Sequence, residues 1–471
     1  MKKMILINIL CMFTGIVFAQ KGDSKVTINL INIKPDSLWV DGYGEFFYVK
    51  PDKENKYILY FEHDKPLTIR IGFNKPEKRQ TTLFLEKGDQ LNMTSDFVKT
   101  TTFTGKGAEN AEVFFTVNRD FDENYSKLDL GKLTADGLFE EALAIGQHSV
   151  DLLEKNKKRV SPSFYKHQSV SLHYNKLSFA FSPIAPIPYM YSLNKKVSEA
   201  VPVHYWDIQK EVKIDDKLMD NAEYAYFIKV MYPLFLNYKA RAEQGLLDST
   251  LSQVVDTKIT LSEMEKIYNG KIRGIAMSAV LANAMENAKN VADFKSLMDH
   301  YMIKFCSVED QKSLLAMYEK YDRLSEGKFP PLFVLKDLNG NDVTLKDFVG
   351  KIVYIDFWAS WCGPCRYEMK NGSPNLHAKF KDNKDVVFLY ISVDSNVEKW
   401  KKAIEEDKIE GIHLLSQATS GLKSPVAEAF NITGIPRYVI IGRDGRIIDN
   451  NATRPSEDIT YDKLMNALKA S

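Results

Sequence analysis

The pattern of apolar and polar positions changes character along the chain. Between residues 26 and 93 the two kinds alternate in short pieces, residues 26–30 (VTINL), 57–61 (YILYF), 67–71 (LTIRI) and 81–85 (TTLFL), with turn formers between them. Alternation with period two marks strands that bury one face, so this stretch predicts an all-β domain, built as a sandwich. From residue 108 to about 325 the period is helical. In residues 271–288, Ile272, Ile275, Ala276 and Ala279 share one face, and Met277, Val280, Leu281, Ala284 and Ala288 lie on the opposite one. Asn283 and Glu286 interrupt the first face, so the second is expected to meet the core. Residues 222–238 (AEYAYFIKVMYPLFLNY) are apolar on most sides, as in a helix at the centre of a bundle. Residues 179–191 (FAFSPIAPIPYMY) break the pattern and read as a packed connection between helices. Residues 322–331 (DRLSEGKFPP) have the charge, glycine and paired prolines of a linker.

Beyond that linker the pattern changes again. Residues 351–358 (KIVYIDFW) form a nearly unbroken apolar run of strand length, as expected of a central parallel strand buried on both faces, and residues 386–393 (VVFLYISV) repeat it. A helix follows Gly363-Pro364, another covers 398–407, and a short one covers 424–430. Residues 438–441 form a strand, Asp444-Gly445 predicts a two-residue hairpin turn into residues 446–449, and 461–469 close the chain as a helix. The whole reads as multidomain: an N-terminal all-β sandwich over 20–107, a central all-α helical domain over 108–325, and a C-terminal α/β domain over 326–471. A length of 471 residues fits three such units.

The chemistry sits in Trp361-Cys362-Gly363-Pro364-Cys365, at the mouth of the first strand-to-helix turn. Cysteines at this spacing can close a small disulfide ring and reopen it, which is thiol–disulfide exchange. Cys362 would occupy the first turn of the helix, where unpaired amides and the positive end of the helix dipole stabilise a thiolate, so it is the expected nucleophile. Half a zinc site is the competing reading, but tetrahedral zinc wants a second closely spaced Cys or His pair, and none lies nearby.

With these pieces in place, residues from about 328 to 471 resemble the TlpA/ResA class of thioredoxin-like thiol-disulfide oxidoreductases. The match rests on Gly350-Lys351, FWASWCGPCRYE (357–368), Ser392-Val393-Asp394, Gly434-Ile435-Pro436 and Asp444-Gly445. It departs where the family places a proline soon after the helical Glu, because here Met369 to Ser373 delay it to Pro374. The resemblance implies a thioredoxin fold and a redox-active Cys362–Cys365 disulfide. It makes Asp356, six positions before Cys362, a buried carboxylate that moves a proton to or from Cys365. It also implies a cis bond before Pro436 that leaves the backbone of Ile435 facing an extended substrate. Trp361, Gly363 and Pro364 complete the substrate-facing surface. Residues 85–93 (LEKGDQLNM) and 103–107 (FTGKG) resemble the N-terminal β domain of Bacteroidetes-type members.

The chain starts with Met1-Lys2-Lys3, an apolar stretch over 4–18 and a small residue at Ala19, which read as an export signal cleaved before Gln20. The apolar run falls short of the roughly 20 residues of a membrane-spanning helix. Leu10 before Cys11 is too large for lipoprotein processing. The expected location is therefore periplasmic. Cys306 then remains as an odd cysteine outside the active pair, read as a core residue.

With 63 Lys and Arg against 62 Asp and Glu, interspersed, the chain shows no basic tail for nucleic acid. No metal or cofactor is expected. The partners implied are protein disulfides and dithiols, together with a membrane electron donor, because the periplasm has no reducing buffer of its own. Pro364 between the cysteines resembles the reducing thioredoxin pair at about −270 mV rather than DsbA-type oxidants near about −120 mV, which favours a reductase. An oxidase or isomerase, or a ligand-binding module with a secondary redox domain, stays open at this point.

Overall fold

The protein is described by a computed structural model. It covers residues 22–42, 45–74, 78–98, 100–129, 133–181, 196–199, 201–288, 290–419 and 421–470. The export signal, Cys11 and most of the segment 179–191 lie outside the described residues. Contacts divide the chain into two compact units, Met1–Met231 and Tyr232–Ser471.

In the first unit, strands β1 (Ser24–Leu30), β2 (Leu38–Gly42), β3 (Glu45–Val49), β4 (Lys56–Phe61), β5 (Leu67–Phe73), β6 (Arg79–Leu85), β7 (Gln90–Ser95) and β8 (Thr101–Lys106) form two four-stranded sheets. Their orders are β4-β1-β7-β8 and β3-β2-β5-β6. Val26, Ile28, Leu59, Leu91 and Met93 of the first sheet share one core with Val40, Ile69, Ile71, Leu83 and Leu85 of the second, so the alternation does close a sandwich. Helices α1 (Ala108–Tyr125), α2 (Ala135–Lys155) and α3 (Pro162–Phe181) follow. The apolar stretch 222–238 is helical but not uniform: α4 (Ala222–Tyr226) runs through a π turn (Phe227–Met231) into α5 (Tyr232–Glu243). The π turn ends two residues before Pro233, which has no N–H to donate and whose ring would crowd the carbonyl one turn back.

The second unit continues with α6 (Gln253–Ile267), α7 (Gly270–Glu286), α8 (Lys295–Phe305) and α9 (Val308–Asp322). Helix α7 is buried on both faces, through Ile272 and Ala276 as well as Met277, Leu281 and Ala284, because α6, α8 and α9 all pack against it. The single core-facing stripe expected here is thus too narrow. Gly274 is required by this packing, since a Cβ there would stand 2.2 Å from the Phe305 carbonyl oxygen. Cys306 is buried beside it without a disulfide, its thiol pushed up to about 11 by burial. The expected linker is docked rather than free. Leu324 joins the core of the redox region, and Gly327 N–H donates to the Ile447 carbonyl while Ile447 N–H donates to the Lys328 carbonyl.

The remaining elements are β9 (Leu335–Asp337), β10 (Asp342–Val343), β11 (Ile352–Trp358), α10 (Gly363–Asn371), α11 (Ser373–Phe380), β12 (Val386–Ser392), α12 (Val397–Asp407), β13 (Ile412–Leu415), α13 (Pro425–Ala429), β14 (Arg437–Ile441), β15 (Ile447–Asp449) and α14 (Asp458–Lys469). The sheet order is β10-β9-β13-β12-β11-β14-β15, with β11 parallel to β12 and antiparallel to β14. Every residue of β11 is buried, as its unbroken apolar run requires. This is the thioredoxin-like arrangement.

Two local readings need correction. The hairpin turn is not Asp444-Gly445 alone: Gly442 N–H donates to the Arg446 carbonyl, enclosing Arg443, Asp444 and Gly445, with Gly445 at φ +78°. A three-residue loop ending in a left-handed glycine matches the strand twist as well as the shorter turn does. The active-site helix breaks at Gly372, before Pro374, which sits in the first turn of α11 where its missing N–H costs nothing. Among the described residues no helix is long and apolar enough to cross a membrane.

Candidate active site

Strand β11 ends at Trp358, whose carbonyl accepts from Val393 N–H, and the chain turns through Ala359 to Trp361 into α10. Cys362 is the N-cap of that helix, and its Sγ accepts from the Cys365 amide at 3.2 Å. Pro364 lies in the first turn. Cys362 and Cys365 are joined as a disulfide with Cα atoms 5.3 Å apart. Cys362 keeps 5% exposure and Cys365 none, whereas Trp361 is 56% exposed and Gly363 and Pro364 are open to solvent. An attacking disulfide or thiol therefore meets Cys362 first.

The turn is fixed from behind. The Asp394 carboxylate accepts from Ser360 N–H at 2.8 Å, from Ser360 Oγ at 2.7 Å and from Ser392 Oγ at 2.8 Å. Helix α10 is clamped to the end of α12: Arg366 donates to both oxygens of Asp407, at 2.5 and 2.7 Å, and Lys370 approaches at 2.9 Å. The Arg366 guanidinium, ahead of Lys370, holds the Asp407 carboxyl below its usual range.

Asp356 lies in the middle of β11, directly across from Tyr390 of β12 and Tyr438 of β14. It is fully buried, and neither carboxyl oxygen has a hydrogen-bond partner among the described residues. Burial, and after it the Glu368 carboxyl, hold Asp356 well above the usual carboxylate range. Glu368 is one helical turn beyond Cys365, also buried, and it accepts from Ser456 N–H and Oγ. The bond between Ile435 and Pro436 is cis, and the β14 ladder with β11 starts only at Arg437, so both residues stand ahead of the paired strand. Ile435 packs on the core that contains Cys362 and Cys365.

The structure thus gathers the sequence-predicted residues into one region of the C-terminal sheet. Sequence reasoning assigned no role to Asp394, Glu368, Arg366 or Asp407. Glu368 was within reach, because its spacing of three from Cys365 puts both on one helix face. The Arg366–Asp407 clamp joins residues 41 apart and leaves no local signal.

Comparison with known proteins bears on this region. The Redoxin family matches residues 325–468. The thiol-disulfide oxidoreductase ResA of Bacillus cereus is 28% identical over 131 residues, covering 28% of this chain and 72% of the relative. ResA of Bacillus anthracis is 30% identical over 136 residues, covering 27% of this chain and 70% of the relative. The thioredoxin domain of a thiol-disulfide oxidoreductase from Bacteroides vulgatus is 34% identical, covering 30% of this chain and 97% of its own, with a TM-score of 0.27. Through its C-terminal region, the chain belongs to the ResA/TlpA-like family of thiol-disulfide oxidoreductases.

Proposed function

We propose that this thiol-disulfide oxidoreductase is exported and reduces protein disulfides. The observation that carries the reading is the asymmetry of the pair, with Cys362 at a helix N-terminus keeping 5% exposure and Cys365 fully sealed one turn into the helix. Cys362 thiolate attacks a substrate disulfide, one substrate sulfur leaves as a thiol, and a mixed disulfide forms. Asp356 takes the proton of Cys365. The Cys365 thiolate then attacks Cys362 Sγ, the second substrate sulfur leaves, and the Cys362–Cys365 disulfide carries away the two electrons' worth of oxidation. A membrane electron donor returns the pair to the dithiol. Trp361, Gly363 and Pro364 form the surface that meets the substrate, and the backbone of Ile435 ahead of cis Pro436 pairs with its extended segment. The regions 20–107 and 108–325 act as domains that position or select the partner.

The test is covalent capture. Expressed in the native envelope, Cys365→Ser cannot resolve the mixed disulfide, so higher-mass bands appear on non-reducing gels, vanish with reductant and are absent from the Cys362→Ser, Cys365→Ser double variant. Thiol alkylation of the wild-type pair in the same cells reads direction, and a reductase stands mostly reduced. Capture of nothing beyond the double variant removes protein disulfides as substrates, and a fully oxidised resting pair makes the enzyme an oxidase.

A further inference from the structure

Asp356 has a difficulty that its position creates. A carboxyl that burial keeps protonated must lose its own proton to solvent before it can take one from Cys365, yet no water reaches it directly. Three tyrosines surround it. Tyr354, two residues earlier on β11, donates its hydroxyl to the Thr453 carbonyl at 2.7 Å and is committed. Tyr438 is buried, and its hydroxyl has no partner among the described residues, so it leads nowhere. Tyr390 differs. It lies across from Asp356 in register, on the same face of the sheet, and its hydroxyl is 3.0 Å from His377 Nε2.

His377 stands on α11 one turn after Ser373, and Ser373 Oγ approaches the Tyr390 hydroxyl without closing a bond of good geometry. Ser373, His377 and Tyr390 all line an open cleft of about 960 Å³ between α11, β12 and the end of α12. His377 is half-buried and packs at a tilt against Phe388 with ring centroids 4.0 Å apart, which fixes the imidazole. His413 stacks on the other side of Tyr390, but it is 4% exposed and its Nε2 is bound to the Ile409 carbonyl, so it holds the phenol ring in place and offers no exit.

We propose that Tyr390 and His377 are the route by which the Asp356 proton exchanges with solvent: the Tyr390 hydroxyl passes its proton to His377 Nε2 as it takes one from the Asp356 side, and His377 releases the Nδ1 proton into the cleft. The net change at Tyr390 is nil, and no electrons move. This rests on the reading of Asp356 as the base for Cys365. Burial, with the neighbouring His413, brings His377 down to about 4, so its imidazole is neutral and able to accept at neutral pH. Neither Asp356 oxygen has a partner among the described residues, and the register sets Tyr390 directly across from it on the neighbouring strand.

The full-length reduced chain is mixed with oxidised glutathione, quenched with acid and separated by mass, so that the glutathionyl adduct on Cys362 reports attack and its loss reports resolution. His377→Gln and Tyr390→Phe should slow resolution by up to about tenfold, short of the roughly hundredfold at which a direct acid–base role starts, because solvent still leaks in. Adduct formation should stay unchanged, added imidazole should restore His377→Gln, and neither variant should slow resolution further in an Asp356→Asn background. If Asp356→Asn slows resolution while the other two do not, the route is wrong and the base stands. If Asp356→Asn has no effect, the base reading falls and the route with it. Slowing that persists in the Asp356→Asn background, or that imidazole fails to relieve, makes Tyr390 and His377 supports of the fold and overturns the proposal.

Discussion

An ionised carboxylate in the middle of a fully buried strand costs stability, and among the described residues Asp356 has neither an ion pair nor a hydrogen bond to offset it. Its folded pKa is raised above the unfolded value of about 3.9, so the acid form is tolerated at low pH and stability is lost as pH rises through the folded value. Asp356→Asn, which cannot ionise, should therefore unfold at a higher temperature than the wild type at neutral and alkaline pH. The gap in stability should widen by up to about 1.4 kcal/mol for each pH unit above about 4 until the folded value is reached. The gap should close below pH about 4, where both side chains are neutral. A gap of constant size, or a destabilised variant, would mean that Asp356 is ionised and paired in the native state. The cysteine pair was legible in the sequence from its own spacing, and the burial of Asp356 and the cis bond before Pro436 from the resemblance to a known family. Tyr390 and His377 were not, since their contact needs a helix and a strand brought together by the fold.

At the scale of elements, long apolar runs were read well: β11, β12 and α12 lie within a residue of their expected bounds. Strands β9, β10 and β13 passed unseen because two to four residues carry too little period to detect. The delay of the proline to Pro374 left the position of the break between α10 and α11 open, and the structure puts it at Gly372. The reason is space, for Gly372 has an ordinary helical φ of −91°, but an added Cβ would stand 2.7 Å from Glu368 Oε2 and 2.7 Å from the Ser456 amide. Gly372→Ala should push the buried Glu368 carboxylate off its Ser456 donors and destabilise the oxidised protein by about 1–3 kcal/mol, as overpacking does. Chemical denaturation of the two proteins measures this. Equal midpoints would show that the helix junction yields without cost.

At the scale of the whole molecule, the sequence divided the chain by changes of period, which located the sandwich and the helices but misjudged the join to the redox region. Residues 322–331 look like a linker in composition, yet Leu324 is 4% exposed in the redox core, Asn450 Nδ2 donates to its carbonyl at 2.7 Å, and Arg446 lies over the Phe329 ring at 4.1 Å. Polar composition reports what a segment could tolerate, not what docks against it. We take the redox domain to begin upstream of this docked segment. Of two shortened chains, one starting at Tyr321 and one at Lys328, the first retains Leu324 and its carbonyl bond and the second loses both. The longer should be more stable by about 1.5–3 kcal/mol, the worth of one buried leucine side chain. Both keep the Cys362–Cys365 pair intact, so their unfolding midpoints in the oxidised form isolate the segment's contribution. Equal midpoints would mean that residues 321–327 rest on the sheet without holding it, and that the domain starts where its composition first suggested.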